Sequence, residues 1–199
     1  MHHLVNRSAV AREAARLLYE GLAEEYITAK DLASRNLGVK ETPSNFEIAI
    51  ELDQLADEIE GIERQDLLIM MRKLALEVMK KLKDYSPKLI GSVWRGTARK
   101  GSDIDIAVYS RNNERVVQSL SGYDIMEKGT VTLKGEFVVY HIIFRVGQFN
   151  VEVIVRQNDD NEERCSIYGD NRRGLNNIEL ERLLSVDPLR KYIPKRRLK

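Results

Sequence analysis

Leu89-Ile-Gly-Ser-Val-Trp-Arg-Gly-Thr-Ala-Arg-Lys-Gly-Ser-Asp-Ile-Asp-Ile106 is the stretch on which the reading of this chain turns. Asp103 to Ile106 alternate polar and apolar, the two-residue period of a strand with one buried face. On such a strand Asp103 and Asp105 share one side, their α-carbons roughly 6.5 to 7 Å apart, while Ile104 and Ile106 point into a core. Two carboxylates so placed repel unless a cation sits between them. Hard oxygen donors suit Mg²⁺, which keeps several waters and completes its shell with phosphate oxygens. For an Asp-Ile-Asp pair taken alone, the plainer reading is a solvated strand end with two exposed acids.

The residues just upstream change that reading. Pro87-Lys-Leu-Ile90 is a short apolar run that reads as a strand, it ends at Gly91-Ser92, and a short helix is predicted over 92–99. A helix N-terminus offers free backbone N–H groups, and glycine lets a phosphate approach the main chain closely. One loop therefore carries anion donors at one end and metal-binding acids at the other, the combination that a nucleoside triphosphate with bound Mg²⁺ needs.

Working outward toward the N-terminus, the pattern is helical. Val10, Ala14, Leu17 and Gly21 fall on one face of a segment over 8–36 that holds one or two helices. Ser44 with Glu47 three residues on reads as a capping box, so a helix is predicted to start near residue 45. Ile48, Leu52, Leu55 and Ile59 form its apolar stripe, Gly61 ends it, and Leu67, Met71, Leu74, Val78 and Leu82 form the stripe of a further helix over 63–84. Such stripes are read as helix–helix core and not as a cofactor groove.

Toward the C-terminus a helix is predicted over 113–120 and a strand over 123–133. Two further β-rich runs, 137–145 and 149–156, are joined at Gly147-Gln148 as a hairpin. Residues 158–177 are polar and read as a loop, and a last helix follows at about 177–186. The expected class is α+β: an all-helical N-terminal region over 1–85, then over 86–199 a small mixed β-sheet flanked by helices.

Composition narrows the function classes. With 43% hydrophobic and 32% charged residues the chain is apolar enough to fold. A net charge of +1 offers no chain-wide attraction for nucleic acid or membrane. Basic residues do crowd the end, at Arg190, Lys191, Lys195, Arg196, Arg197 and Lys199, where a solvated terminus and a phosphate or RNA contact are both open readings. Cys165 is the single cysteine and can form no internal disulfide, and no apolar run approaches the length of a membrane span. The expectation is a soluble, cytoplasmic protein with no membrane association.

Ile90-Gly-Ser, a ten-residue spacer and Asp103-Ile-Asp-Ile106 resemble the signature of the DNA polymerase beta-like nucleotidyltransferase superfamily. The resemblance spans about 65 residues, from Ile90 to Ile154, and leaves out the helical half. It implies a nucleotidyltransferase-like palm and a third acid on a later strand with apolar neighbours. Val151-Glu-Val-Ile154 supplies Glu152 there, although Asp is more usual at that place, and the plain alternative is an outward residue of an alternating strand.

The resemblance further implies an enzyme that moves a nucleoside monophosphate from a nucleoside triphosphate (NTP) to a hydroxyl with release of pyrophosphate. Two Mg²⁺ ions about 3.5 to 4 Å apart would be held by Asp103, Asp105 and Glu152. Gly91 and Ser92 would meet the phosphates, and Arg95, Arg99 and Lys100 would neutralise the leaving pyrophosphate, unless they are solvated loop charges. Trp94 is expected as a core anchor and His141 as a satisfied structural residue. The acceptor is a small molecule, a protein or an RNA end, and the N-terminal helices are where a second copy or a partner protein would pair. The competing reading is a non-catalytic nucleotidyltransferase-like binding module, such as the partner of a toxin.

Overall fold

The computed structural model describes residues 2–40, 42–133, 137–157 and 174–194. Cys165, Lys195, Arg196, Arg197, Lys199 and most of the loop expected over 158–177 lie outside them. Contacts group the chain into two compact units, one built on residues 1–61 and the other on residues 62–163 and 172–193. No helix among the described residues is long and apolar enough to cross a membrane.

The first unit holds helices α1 (His2–Tyr19) and α2 (Tyr26–Leu37) and the opening half of α3 (Asn45–Lys81). Its core is small-residue packing: Val10, Ala11, Ala14, Ala15, Ala29 and Ala33 are all at most 2% exposed and meet Ile48 and Leu52. Alanine lets helix backbones approach closely, and its burial costs no side-chain entropy. The capping box forms as the spacing predicts. The Ser44 backbone N–H donates to the Glu47 carboxylate at 2.7 Å, and the Glu47 N–H donates to Ser44 Oγ at 3.2 Å. Arg7 Nη2 donates to the same carboxylate at 2.7 Å.

Gly61 breaks α3, with φ 56° and ψ −134°, a conformation that side-chain-bearing residues avoid. Of the stripe expected before it, Ile48 and Leu52 are buried, Leu55 is half-buried and Ile59 is 57% exposed, while Ala49 and Ala56 are buried beside them. Ile59 falls two residues before the Gly61 break, where that helical half ends.

The second unit is a five-stranded mixed sheet with helices packed on one face. Its strands are β1 (Lys88–Ile90), β2 (Ile104–Tyr109), β3 (Ile125–Leu133), β4 (Phe137–Val146) and β5 (Phe149–Arg156), in the order β1-β2-β5-β4-β3. Only β2 and β5 pair in parallel. The connecting helices are α4 (Gly91–Arg95) and α5 (Asn113–Ser119), and α6 (Asn177–Val186) follows. The inner face carries Ile104, Ile106 and Val108 from β2 with Val151, Val153 and Val155 from β5, all at most 3% exposed. Leu68, Met71, Ala75, Val78 and Met79 of residues 62–81 cover it, with Leu82 just after them and Leu180 and Leu183 of α6. Each large aliphatic side chain so buried contributes about 1.5 to 3 kcal/mol.

Two arginines of the 62–81 helix are buried where a solvated face would be the usual place. Arg72 is 0% exposed; its Nε donates to the Val93 carbonyl at 3.0 Å and its Nη2 to the carbonyls of Trp94 and Arg190 at 3.0 Å each. Burial pulls its guanidinium down to about 10, so it stays charged at neutral pH. Arg64 Nε donates to the Ala98 carbonyl at 2.8 Å and Nη2 to Thr97 at 3.0 Å. Between them they donate to the carbonyls of Val93, Trp94, Thr97 and Ala98, in the connection that leads to Asp103. Arg72→Met leaves buried carbonyls without donors and is expected to cost about 3 kcal/mol or more in urea unfolding. Arg72→Lys, a point charge without the planar fork, should recover only part of it.

Candidate functional site

The outer face of the sheet carries the acids. Register pairs Ile90 with Asp105, Asp105 with Glu152, Glu152 with Ile143 and Ile143 with Glu127, one row of residues across all five strands. Paired residues share a face, so Asp105 and Glu152 stand side by side on adjacent parallel strands. Asp103 lies two residues before Asp105, just ahead of β2, and accepts a hydrogen bond from Asn150 Nδ2 at 3.1 Å. The strand parity that buries Ile104 and Ile106 thus turns all three acids to the opposite side.

Asp105 is poised by its surroundings. Burial, then the charge of Glu152, then that of Asp103, push its carboxyl up from the usual 3.8 to about 7. Gly91 closes over it from α4. With φ at 69°, a β-carbon there would stand 1.9 Å from Asp105 Oδ2. Only glycine admits that approach, so the glycine of the Gly-Ser pair is required by the acid it faces.

The remaining expected residues divide. Ser92 is half-buried, and its carbonyl accepts from the Thr97 N–H at 3.0 Å. The Arg99 N–H donates to Ser102 Oγ at 3.0 Å, and the Ser102 N–H donates back to the Arg99 carbonyl at 2.9 Å, a tight turn that delivers Asp103. Lys100 is exposed on that turn. Arg95 faces another way: it is 6% exposed, its Nη1 donates to the Tyr192 carbonyl at 2.9 Å, and its guanidinium stacks on Trp94 at 4.3 Å. Trp94 is 5% exposed, a core residue as expected, with the Tyr192 ring 5.4 Å away. α4 is five residues long, ending at Arg95 where Arg99 was expected, because Gly96 adopts a left-handed φ of 78°.

Of two further residues on the acid face, Asn150 was not singled out by sequence reasoning and His141 was expected only as a satisfied structural residue. Asn150 belongs to the acid face because it has the parity of Glu152 in an alternating strand, a signal the sequence does contain. His141 pairs through Nδ1 with Glu152 Oε1, while its Nε2 is buried without a hydrogen-bond partner among the described residues. No local pattern announces that pairing, which depends on the register of β4 against β5.

No three His, Cys, Asp or Glu side chains among the described residues are close enough together to hold an ion by themselves. Any divalent ion here would draw further ligands from water and substrate, which is how Mg²⁺ usually binds. The donors fit that ion in kind, being carboxylate oxygens throughout, and their mutual repulsion is what a cation would relieve.

Comparison with known proteins bears on this geometry at one point. No curated protein matches the chain. The solved structure described as that of a cytoplasmic RNA terminal U-transferase is similar at 14% identity and a TM-score of 0.32. The match covers 56% of this chain and 36% of that one, so this chain spans about a third of its length. The family described as the nucleotidyltransferase domain matches residues 71–166, the stretch that contains Gly91, Asp103, Asp105 and Glu152. Residues 71–166 of this chain are thus similar to the nucleotidyltransferase domain family.

Proposed function

We propose that the 62–193 unit transfers a nucleoside monophosphate from a nucleoside triphosphate to a hydroxyl acceptor with release of pyrophosphate. The observation that carries the reading is the pairing of Asp105 with Glu152 in register, beside Asp103 and under Gly91. Within a nucleotidyltransferase domain, that is a place where a triphosphate and divalent ions can meet.

Asp103, Asp105 and Glu152 would hold Mg²⁺, with Asn150 fixing the Asp103 carboxylate by its hydrogen bond. Bound there, Mg²⁺ would supply charge neutralisation for the triphosphate and Lewis acidity at the reacting phosphorus. Glu152 accepts the proton of the acceptor hydroxyl. The acceptor oxygen then forms its bond to the α-phosphorus as the bond from that phosphorus to the pyrophosphate oxygen breaks. Ser92 and the backbone of Gly91 would bind the terminal phosphates. Lys100 and Arg99 would balance the charge of the leaving pyrophosphate, and Arg95 serves that role less well because its guanidinium is committed to Tyr192 and Trp94.

Each of the four ribonucleoside triphosphates is to be incubated with the protein, Mg²⁺ and a cellular extract of RNA and metabolites. Pyrophosphate should appear with at least one triphosphate and stop on adding a chelator. A melting-temperature rise with triphosphate should likewise require the metal. Bound triphosphate with no pyrophosphate under any condition would favour a non-catalytic binding module instead.

A further inference from the structure

We propose that His141 is a positioning residue that aims the Glu152 carboxylate at the ion site, an inference that rests on the reading of Asp103, Asp105 and Glu152 as metal ligands. Glutamate has one more rotatable bond than aspartate, so a glutamate in the third-acid position reaches farther and is less fixed by its own backbone. Something must choose its rotamer if it is to meet Asp105 in one geometry.

His141 is placed to do so. It pairs with Ile154 in the β4–β5 register, while Glu152 pairs with Ile143, so His141 and Glu152 are diagonal neighbours on one face. Their side chains are 14% and 24% exposed, sheltered enough that water competes only weakly with a hydrogen bond between them. Nδ1 meets Glu152 Oε1, which leaves Oε2 free for an ion. The other ring nitrogen, Nε2, is buried with no hydrogen-bond partner among the described residues. The ring therefore has one polar task, and that task is Glu152.

The arrangement matches the general logic of metal sites, in which a neighbouring group orients each ligand and its loss weakens metal binding about 10- to 100-fold. Mn²⁺ binding to the full chain, followed by paramagnetic resonance of the free ion, reads this without any turnover. Four proteins are compared: wild type, Asp103→Ala, His141→Phe, which keeps a ring but has no donor, and His141→Asn, whose amide can donate near the Nδ1 position.

The expected pattern is weakening of about tenfold or more in His141→Phe and within about threefold of wild type in His141→Asn, with unchanged melting in the absence of metal. If His141→Phe proves unfolded, His141→Ala takes its place in the comparison. Wild-type affinity in the donor-free variant would overturn the proposal, and so would equal weakening in Phe and Asn, because packing alone would then explain it. Failure of the underlying ligand reading looks different: wild type and Asp103→Ala would bind Mn²⁺ alike.

Discussion

Asparagine in place of Asp105 is expected to lower pyrophosphate release by about a thousandfold or more, and at the same time to stabilise the metal-free protein. The two effects share one cause. An ionised Asp105 sits partly buried between Glu152 and Asp103, and the pocket without a cation disfavours its charge, raising its carboxyl to about 7. An acid whose folded-state value lies above its unfolded one stabilises the fold when protonated. That contribution is complete below about pH 3.8 and is lost as pH rises through about 7.

Metal-free wild type should therefore lose stability between pH 5 and pH 8, and Asp105→Asn should lose much less. The gap between them at pH 8 is at most about 4 kcal/mol, one tenfold step in the proton equilibrium being about 1.4 kcal/mol. Saturating Mg²⁺ with a triphosphate should narrow the gap by restoring the wild type. Urea unfolding at the two pH values, with and without Mg²⁺, measures all of this. An Asp105→Asn protein that is less stable than wild type at pH 8 would show that the pocket favours the ionised acid unaided.

Much of the fold is written in local pattern, and its failures share a physical origin. The Ser44–Glu47 cap, the break at Gly61, the turn at Gly147 and all five strands follow from period and turn chemistry, which act within a few residues. The parity of Asp103-Ile-Asp-Ile106 separates core face from acid face, and burial follows it to 0% at Ile104 and Ile106. What is not local is not legible. Arg64 and Arg72 look like solvated helix charges, yet they are buried because carbonyls of residues distant in sequence need donors there. Ile59 fits a helical stripe by period, but it falls two residues before the Gly61 break and is left 57% exposed. Arg95 lies in the expected loop, and its direction is set by Tyr192, nearly a hundred residues on. The His141–Glu152 contact waits on strand register, which period alone does not determine.

Gly91→Ala should separate activity from stability in the opposite manner to Asp105→Asn. The new β-carbon would stand 1.9 Å from Asp105 Oδ2 and 2.9 Å from its Cγ, so one of the two residues must yield. Asp105 is held mid-sheet, hydrogen-bonded through its strand to β1 on one side and β5 on the other, so its backbone is not free to retreat. The carboxylate is, by rotating away from Glu152 and Asp103. Most of the clash is therefore relieved by misplacing one oxygen: the rate should fall about a hundredfold or more, with a loss of only about 1 to 3 kcal/mol from the residual contact and the left-handed φ.

The Asp105→Ala background tests the cause. There the clashing oxygen and Cγ are gone and the nearest remaining Asp105 atom is the β-carbon, 3.2 Å away. Gly91→Ala should then cost the backbone term and a slight residual squeeze against that β-carbon, about 1 to 2 kcal/mol together, and the two substitutions should be non-additive. Equal destabilisation by Gly91→Ala in both backgrounds would mean that the strain lies in the main chain alone. In that case the glycine would be serving the turn into α4, with no bearing on the acid beneath it.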